Sequence, residues 1–192
     1  MLEKIKATAE FISKTTGFTP KTGIILGSGL GGLVKEIEIE KELNYADIPG
    51  FPVSTVKGHG NKLIFGTLNG VKVVAMQGRF HFYEGYSMQE VAMPVRVMKF
   101  LGIKNIILSN ASGGVNPKYK VGDLMILDDH INLMGTDPLI GPNNDDLGPR
   151  FPDMGEPYDK TMIKAAKAIA DKHGFTCHTG VYAAVTGPTF ET

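Results

Sequence analysis

Apolar positions along the chain change period several times, and each change marks an element. Ile5, Ala9 and Ile12 recur at helical spacing with lysines between them, so Met1 to Thr16 reads as an amphipathic helix lying on the surface. From Lys21 to Leu26 the pattern becomes continuous and β-branched, which predicts a strand. That strand runs into Gly27-Ser28-Gly29-Leu30-Gly31-Gly32, and Lys35 to Leu43 then alternates in strand fashion. Lys62 to Leu68 and Val71 to Met76 flank Asn69-Gly70, the pair that favours a type I′ turn, so a hairpin is expected. Ser87 and Glu90 make a capping box that opens a helix to Leu101, closed by Gly102 and bent by Pro94. Lys104 to Leu108 is a continuous apolar run of buried-strand type, and Leu124 to Leu127 is a further short strand. Lys160 to His173 follows as a helix closed by Gly174, and Thr179 to Val185 is the last strand.

Alternation of strands and helices makes this an α/β chain with a mixed central sheet flanked by helices, and one domain over residues 1–192 is expected. A hydrophobic content of 42% over 192 residues suffices for one sizeable core. Lys+Arg and Asp+Glu balance at 20 each, which argues against a nucleic-acid surface and for small-molecule chemistry. Cys177 is the single cysteine, so neither an intrachain disulfide nor a cysteine metal cluster is available. No apolar run reaches the length of a membrane span, and the expectation is a cytoplasmic enzyme.

The chemistry concentrates between Gln77 and Tyr86, a strand-to-helix loop reading Gln-Gly-Arg-Phe-His-Phe-Tyr-Glu-Gly-Tyr. Arg79 and His81 are two apart, so in extended backbone they point the same way, with Tyr83 continuing that side. A guanidinium beside an imidazole is a receptor for a phosphate-like oxyanion. The plainer alternative is an aromatic loop packed on the sheet, with Arg79 paired to Glu84. The glycine loop offers bare backbone amides and the Ser28 hydroxyl to an anion. Gly27, Gly29 and Gly32 also satisfy the dinucleotide pattern G-x-G-x-x-G, but the match is weak, because a dinucleotide unit needs a helix, a second strand and an acidic residue about 20 positions on, and Lys35 to Leu43 alternates in strand fashion with no room for that helix. Ser109-Asn110-Ala111-Ser112-Gly113-Gly114 lies at the carboxyl end of a strand, where ligands bind in parallel sheets. His59 lies among glycines in a loop from Asn44 to Asn61 whose Lys57-Gly58-His59-Gly60 segment has the make-up of a flap. Asp128-Asp129-His130 superficially resembles a metal cluster, but neighbouring residues of an extended chain face opposite ways, and no metal site is expected. Asn132 to Pro157 is a long loop rich in Gly, Pro, Asn and Asp, too long to be idle in a compact domain.

Taken in order, the glycine loop, Gly78 to Tyr86, Asn110 to Gly114, Asp129-His130-Ile131-Asn132 and Gly187-Pro188-Thr189-Phe190-Glu191-Thr192 resemble the trimeric class of purine nucleoside phosphorylases over essentially the whole chain. The resemblance implies a homotrimer that cleaves purine nucleosides with inorganic phosphate as co-substrate and no cofactor. It implies that Ser28, Arg79, His81 and the Ala111 backbone bind phosphate, that Tyr83 and Tyr182 line the ribose pocket, and that Asn110, Ala111, Phe190 and Glu191 hold the purine. His81 and Glu191 would be the catalytic pair, Phe151 would enter the neighbouring subunit's site, and His59 with Glu84 would gate the phosphate. Members of the family run beyond the Phe-Glu-Thr segment and carry there a phosphate-binding Ser, a purine-contacting Asn and a ribose-contacting His. Two alternatives stay open at this point: a nucleotide-cofactor enzyme built on the glycine loop, and a non-catalytic phosphate- or nucleoside-binding remnant.

Overall fold

The computed structural model describes residues 1–54 and 60–189, in two compact units, Met1–Ala111 and Ser112–Thr192. In the first, α1 (Leu2–Thr16) buries Ile5, Ala9 and Ile12 and ends at Gly17 in the left-handed region, φ 63°. It is followed by β1 (Thr22–Ile25), β2 (Glu38–Asn44), β3 (Lys62–Leu68), β4 (Val71–Gln77), α2 (Met88–Phe100) and β5 (Asn105–Leu108). The sheet order is β2-β3-β4-β1-β5. β1 pairs parallel with both β4 and β5, whereas β2, β3 and β4 pair antiparallel, so the sheet is mixed as expected.

Period two explains the apolar run of β1. Ile25 joins Val74, Met76 and Phe65 in a cluster with Ile5 and Ile12 of α1 and Met93 and Val97 of α2. Ile24 and Leu26 join Val73, Ala75 and Ile64 in a second cluster with Val34 and Ile37. Both faces of β1 are therefore covered, and an unbroken apolar sequence results. Asn69 and Gly70 take φ 48° and 79°, the two left-handed residues that a type I′ hairpin requires. The Ser87–Glu90 capping box forms at the start of α2, which contains the buried Pro94.

Some strand boundaries and one burial differ from the sequence reading. The strand expected from Lys35 begins at Glu38, because Gly31–Glu36 is a 3-10 turn whose Val34 caps the second apolar cluster. The run ending at Leu108 is not buried among the described residues: Ile107 is 46% exposed and Leu108 60%. β5 is the edge strand of its sheet and pairs only with β1, so its side chains lack the cover that β1 enjoys. No helix of the described residues is long and apolar enough to cross a membrane.

The second unit contains β6 (Leu124–Asn132), α3 (Lys160–His173) and β7 (Cys177–Ala184), with β6 and β7 pairing parallel. Asp159 caps α3, its carboxylate accepting from Met162 N–H at 2.8 Å, and Gly174 closes the helix at φ 71°. β6 is longer than the expected Leu124 to Leu127. Asp128, Asp129 and His130 lie within it, Asp128 at a register shift between Leu127 and Asp129, because the ladder to β7 uses backbone groups and tolerates polar side chains.

Candidate active site

Three parallel strands set the site's frame. Ile25 at the end of β1 stands in register with Met76 of β4 and Leu108 of β5, so the loops leaving all three strands start side by side. These are the glycine loop, the Gly78–Glu84 segment and Ser109-Asn110-Ala111.

Ser109 ties the three together. Its hydroxyl accepts from the Gly27 N–H at 3.2 Å and donates to Ile25 O at 3.2 Å, while its carbonyl accepts from Arg79 Nη1 at 2.7 Å. The approach is so close that a Cβ on Gly27 would fall 2.4 Å from Ser109 O and 2.6 Å from Asn110 Cα. Only glycine fits there, which is a packing reason for the first glycine of the motif. Gly29, at φ 81°, turns the loop, and Ser28 beside it is exposed. The loop then enters the 3-10 turn, and the next strand, β2, pairs antiparallel with β3 at the far edge of the sheet. That is not the strand–helix–strand unit of a dinucleotide site.

Arg79 and His81 are brought together as their spacing predicts. Arg79 Nε donates to His81 Nε2 at 3.2 Å, and His81 Nδ1 lies 2.7 Å from Glu84 Oε1. Because the guanidinium can only donate, Nε2 carries the lone pair and the ring proton sits on Nδ1, donating to Glu84. A doubly protonated ring would set two N–H groups against each other at Nε2, so it excludes this placement of Arg79. Where the plainer alternative paired Glu84 with Arg79, the geometry among the described residues gives Glu84 to His81. The Glu84 side chain is only 2% exposed. Its carboxylate accepts from His81 N–H at 2.9 Å and from Ser54 Oγ at 3.2 Å, which offsets the loss of water around a buried charge. His81 caps the 3-10 turn Phe82–Glu84, and this turn brings Tyr83 back over its ring, with centroids 4.7 Å apart and planes at 14°.

Ser54 connects this pair to the loop base. Its N–H donates to Asn61 Oδ1 at 3.1 Å and its carbonyl accepts from Asn61 Nδ2 at 3.0 Å, while Asn61 takes φ 49°. An arginine and an imidazole beside a glycine loop at the ends of parallel strands have the chemistry to take a tetrahedral oxyanion.

The phosphorylase superfamily profile matches residues 21–192, and thus runs through the glycine loop, the Arg79–His81–Glu84 group and Ser109. This chain belongs to the phosphorylase superfamily. It is similar to "Purine nucleoside phosphorylase 1" of Bacillus subtilis, 57% identical over 192 residues, which cover 100% of this chain and 71% of that protein. Two crystal structures from Schistosoma are also similar. One is a purine nucleoside phosphorylase with hypoxanthine, 47% identical at a TM-score of 0.94, covering 99% of this chain and 69% of that one. The other is isoform 2 from Schistosoma mansoni with cytosine and ribose-1-phosphate, 46% identical at a TM-score of 0.93, covering 99% and 68%.

Within this family member the remaining expected residues divide as follows. Asn110 Nδ2 donates to Ala111 O at 3.1 Å, both being exposed at the end of β5. Tyr182 is on β7, in register with His130 of β6. Phe151 lies in the long loop of the second unit, 87% exposed, with the Arg150 guanidinium 5.8 Å from its ring centre. Arg150 Nη1 also donates to Leu139 O at 2.9 Å and Gly141 O at 2.7 Å, knitting that loop together. His59, Phe190 and Glu191 lie outside the described residues.

Ser54 escapes a motif-based reading, since it stands in no charged or aromatic cluster, and the bridging role of Ser109 within its expected ligand loop escapes it too. A small hydroxyl residue directly after a buried-type strand was the available signal for Ser109. In the second unit Asp123 pairs with His178 at 2.7 Å, and that hydrogen bond holds its carboxyl below the ordinary aspartate value. Tyr158 hydroxyl meets His130 Nδ1 at 3.1 Å, and burial, followed by the charge of Asp129, pushes its ionisation upward.

Proposed function

We propose that this chain catalyses the phosphorolysis of purine ribonucleosides and deoxyribonucleosides, a pentosyl transfer to inorganic phosphate. The Arg79–His81–Glu84 arrangement beside the glycine loop is the observation that carries the reading. A hydrolase needs to position water, whereas this group is suited to a nucleophile with tetrahedral oxyanion geometry. The names of the relatives support the same reaction, as does the superfamily profile, which spans both units and favours treating residues 1–192 as one functional domain.

In the reaction the C1′–N bond to the base breaks and a C1′–O bond to phosphate forms. The base leaves with the bonding electrons and takes up a proton, giving free purine and ribose 1-phosphate. Positive charge grows on the sugar as the bond opens, and a phosphate dianion held beside it stabilises that charge before bonding. Arg79 supplies the charge that holds the dianion, Ser28 and the Ala111 N–H add neutral donors, and Glu84 orients His81. For His81 to donate to phosphate, Nε2 gains a proton and Arg79 Nε turns from the ring to the anion. Tyr83 and Tyr182 contact the ribose, and Asn110, Ala111 and Phe190 the base. The Glu191 carboxylate accepts from the ring N–H and exocyclic amine of hypoxanthine or guanine, which favours 6-oxopurines. His59 and Glu84 gate the phosphate, and Phe151 completes the site of a neighbouring subunit in a cytoplasmic homotrimer. Phosphate is the co-substrate, and no cofactor or metal takes part. Inosine cleavage measured with and without phosphate tests this: turnover is expected only with phosphate, and equal rates in both would replace the phosphorylase with a hydrolase.

A further inference from the structure

Arg79 is flanked by Gly78 and Phe80, and one buried side chain grips both. Tyr45, on a 3-10 turn Tyr45–Asp47, is 0% exposed. Its hydroxyl donates to Gly78 O at 2.6 Å. Its ring meets that of Phe80 at 5.3 Å and 63°, and Phe51 closes the group at 5.1 Å from Tyr45 and 5.6 Å from Phe80. Tyr86 also packs edge-on against Phe80, at 5.9 Å. Tyr45 is itself fixed, since its N–H donates to Asn61 O at 2.8 Å.

Gly78 takes φ 104°, a conformation open to glycine and not set by side-chain packing of its own. The direction in which the chain leaves β4 toward Arg79 therefore depends on what holds the Gly78 carbonyl. A plain core role would need only the Tyr45 ring; the hydroxyl is a buried polar group kept for one acceptor. Burial also drives its ionisation far above the ordinary tyrosine value, so it remains a donor at every working pH.

We propose that Tyr45 is a positioning residue for phosphate binding, acting through Gly78 and Phe80 on the aim of Arg79. This rests on the reading of Arg79 as a phosphate ligand. In Tyr45→Phe the ring packing persists while the Gly78 carbonyl loses its buried partner, and a misaimed guanidinium weakens phosphate by about tenfold. The test is titration of the protein with inorganic phosphate by calorimetry, with the inosine KM taken at saturating phosphate. Phosphate Kd rises about tenfold and inosine KM stays within about twofold. Combined with Arg79→Ala, the substitution adds no further loss, because it acts through the missing side chain.

An unchanged phosphate Kd in Tyr45→Phe, alongside a weakened one in Arg79→Ala, overturns the inference and leaves the phosphate site standing. Penalties that multiply in the double variant overturn it too, since Tyr45 would then act elsewhere. An unchanged Kd in Arg79→Ala itself removes the phosphate reading and this inference with it. Should Tyr45→Phe fail to fold, Phe80→Leu loosens the same grip with the hydroxyl in place. The same selective loss of phosphate is expected, and no loss overturns the proposal.

Discussion

Replacing Gly27 with alanine adds one methyl at the point where the ends of β1 and β5 come closest. The new Cβ would stand 2.4 Å from Ser109 O, 2.6 Å from Asn110 Cα and 2.9 Å from Ser109 C, all backbone atoms. No rotamer change relieves such a clash, so the strand ends part by roughly 1 Å to reach van der Waals distance. Two bonds to Ser109 lie on the path of that movement, from Gly27 N–H at 3.2 Å and from Arg79 Nη1 at 2.7 Å. A neutral bond of about 0.5–1.5 kcal/mol and a charge-assisted one of about 1.5–3 kcal/mol together amount to about 2–4.5 kcal/mol. For a chain of this size that lowers the melting temperature by about 4–18 °C if the whole cost falls on stability. Any part absorbed by a shifted Arg79 appears instead as weaker phosphate binding. Thermal melts and phosphate titration of Gly27→Ala against wild type measure both shares. A melting temperature within about 1 °C and a phosphate affinity within about twofold of wild type would refute the close approach and, with it, the role of Ser109.

Arg79→Ala is expected to raise the phosphate KM by about 10- to 150-fold, the equivalent of a lost charge-assisted bond, with a much smaller effect on the inosine KM; equal rises in both would make Arg79 structural. The depressed Asp123 carboxyl stabilises the fold above the ordinary aspartate value of 3.8 and ceases to do so as pH falls through its lower folded value. Urea unfolding of wild type and Asp123→Asn should therefore differ near neutral pH and converge in acid, and a difference that persists in acid would contradict the pairing with His178. Sedimentation should find a trimer, with Phe151→Ala raising the nucleoside KM and sparing the phosphate KM; a fully active monomer removes Phe151 from the site.

Local signals were legible from residues alone. The hairpin follows from Asn69-Gly70, α2 from Ser87 and Glu90, the end of α3 from Gly174, and the adjacency of Arg79 and His81 from strand alternation. What escaped depends on partners distant in sequence. The length of β6 is set by its ladder to β7, which the polar Asp128-Asp129-His130 stretch conceals. The exposure of Leu108 reflects an edge position that an apolar run does not reveal. The partner of Glu84 depended on the 3-10 turn Phe82–Glu84, which brings the carboxylate back to His81. Ser109 and Tyr45 act across separations of 82 and 33 residues, where no periodicity reports contact.

Phosphorus NMR of the protein mixed with inosine and inorganic phosphate tests the central claim most directly, because it follows the phosphate group whose oxygen becomes bonded to C1′. Phosphorolysis predicts that the inorganic phosphate signal falls as a ribose 1-phosphate signal grows in step with hypoxanthine release. Hypoxanthine release with the phosphate signal unchanged would contradict it and assign the cleavage to water.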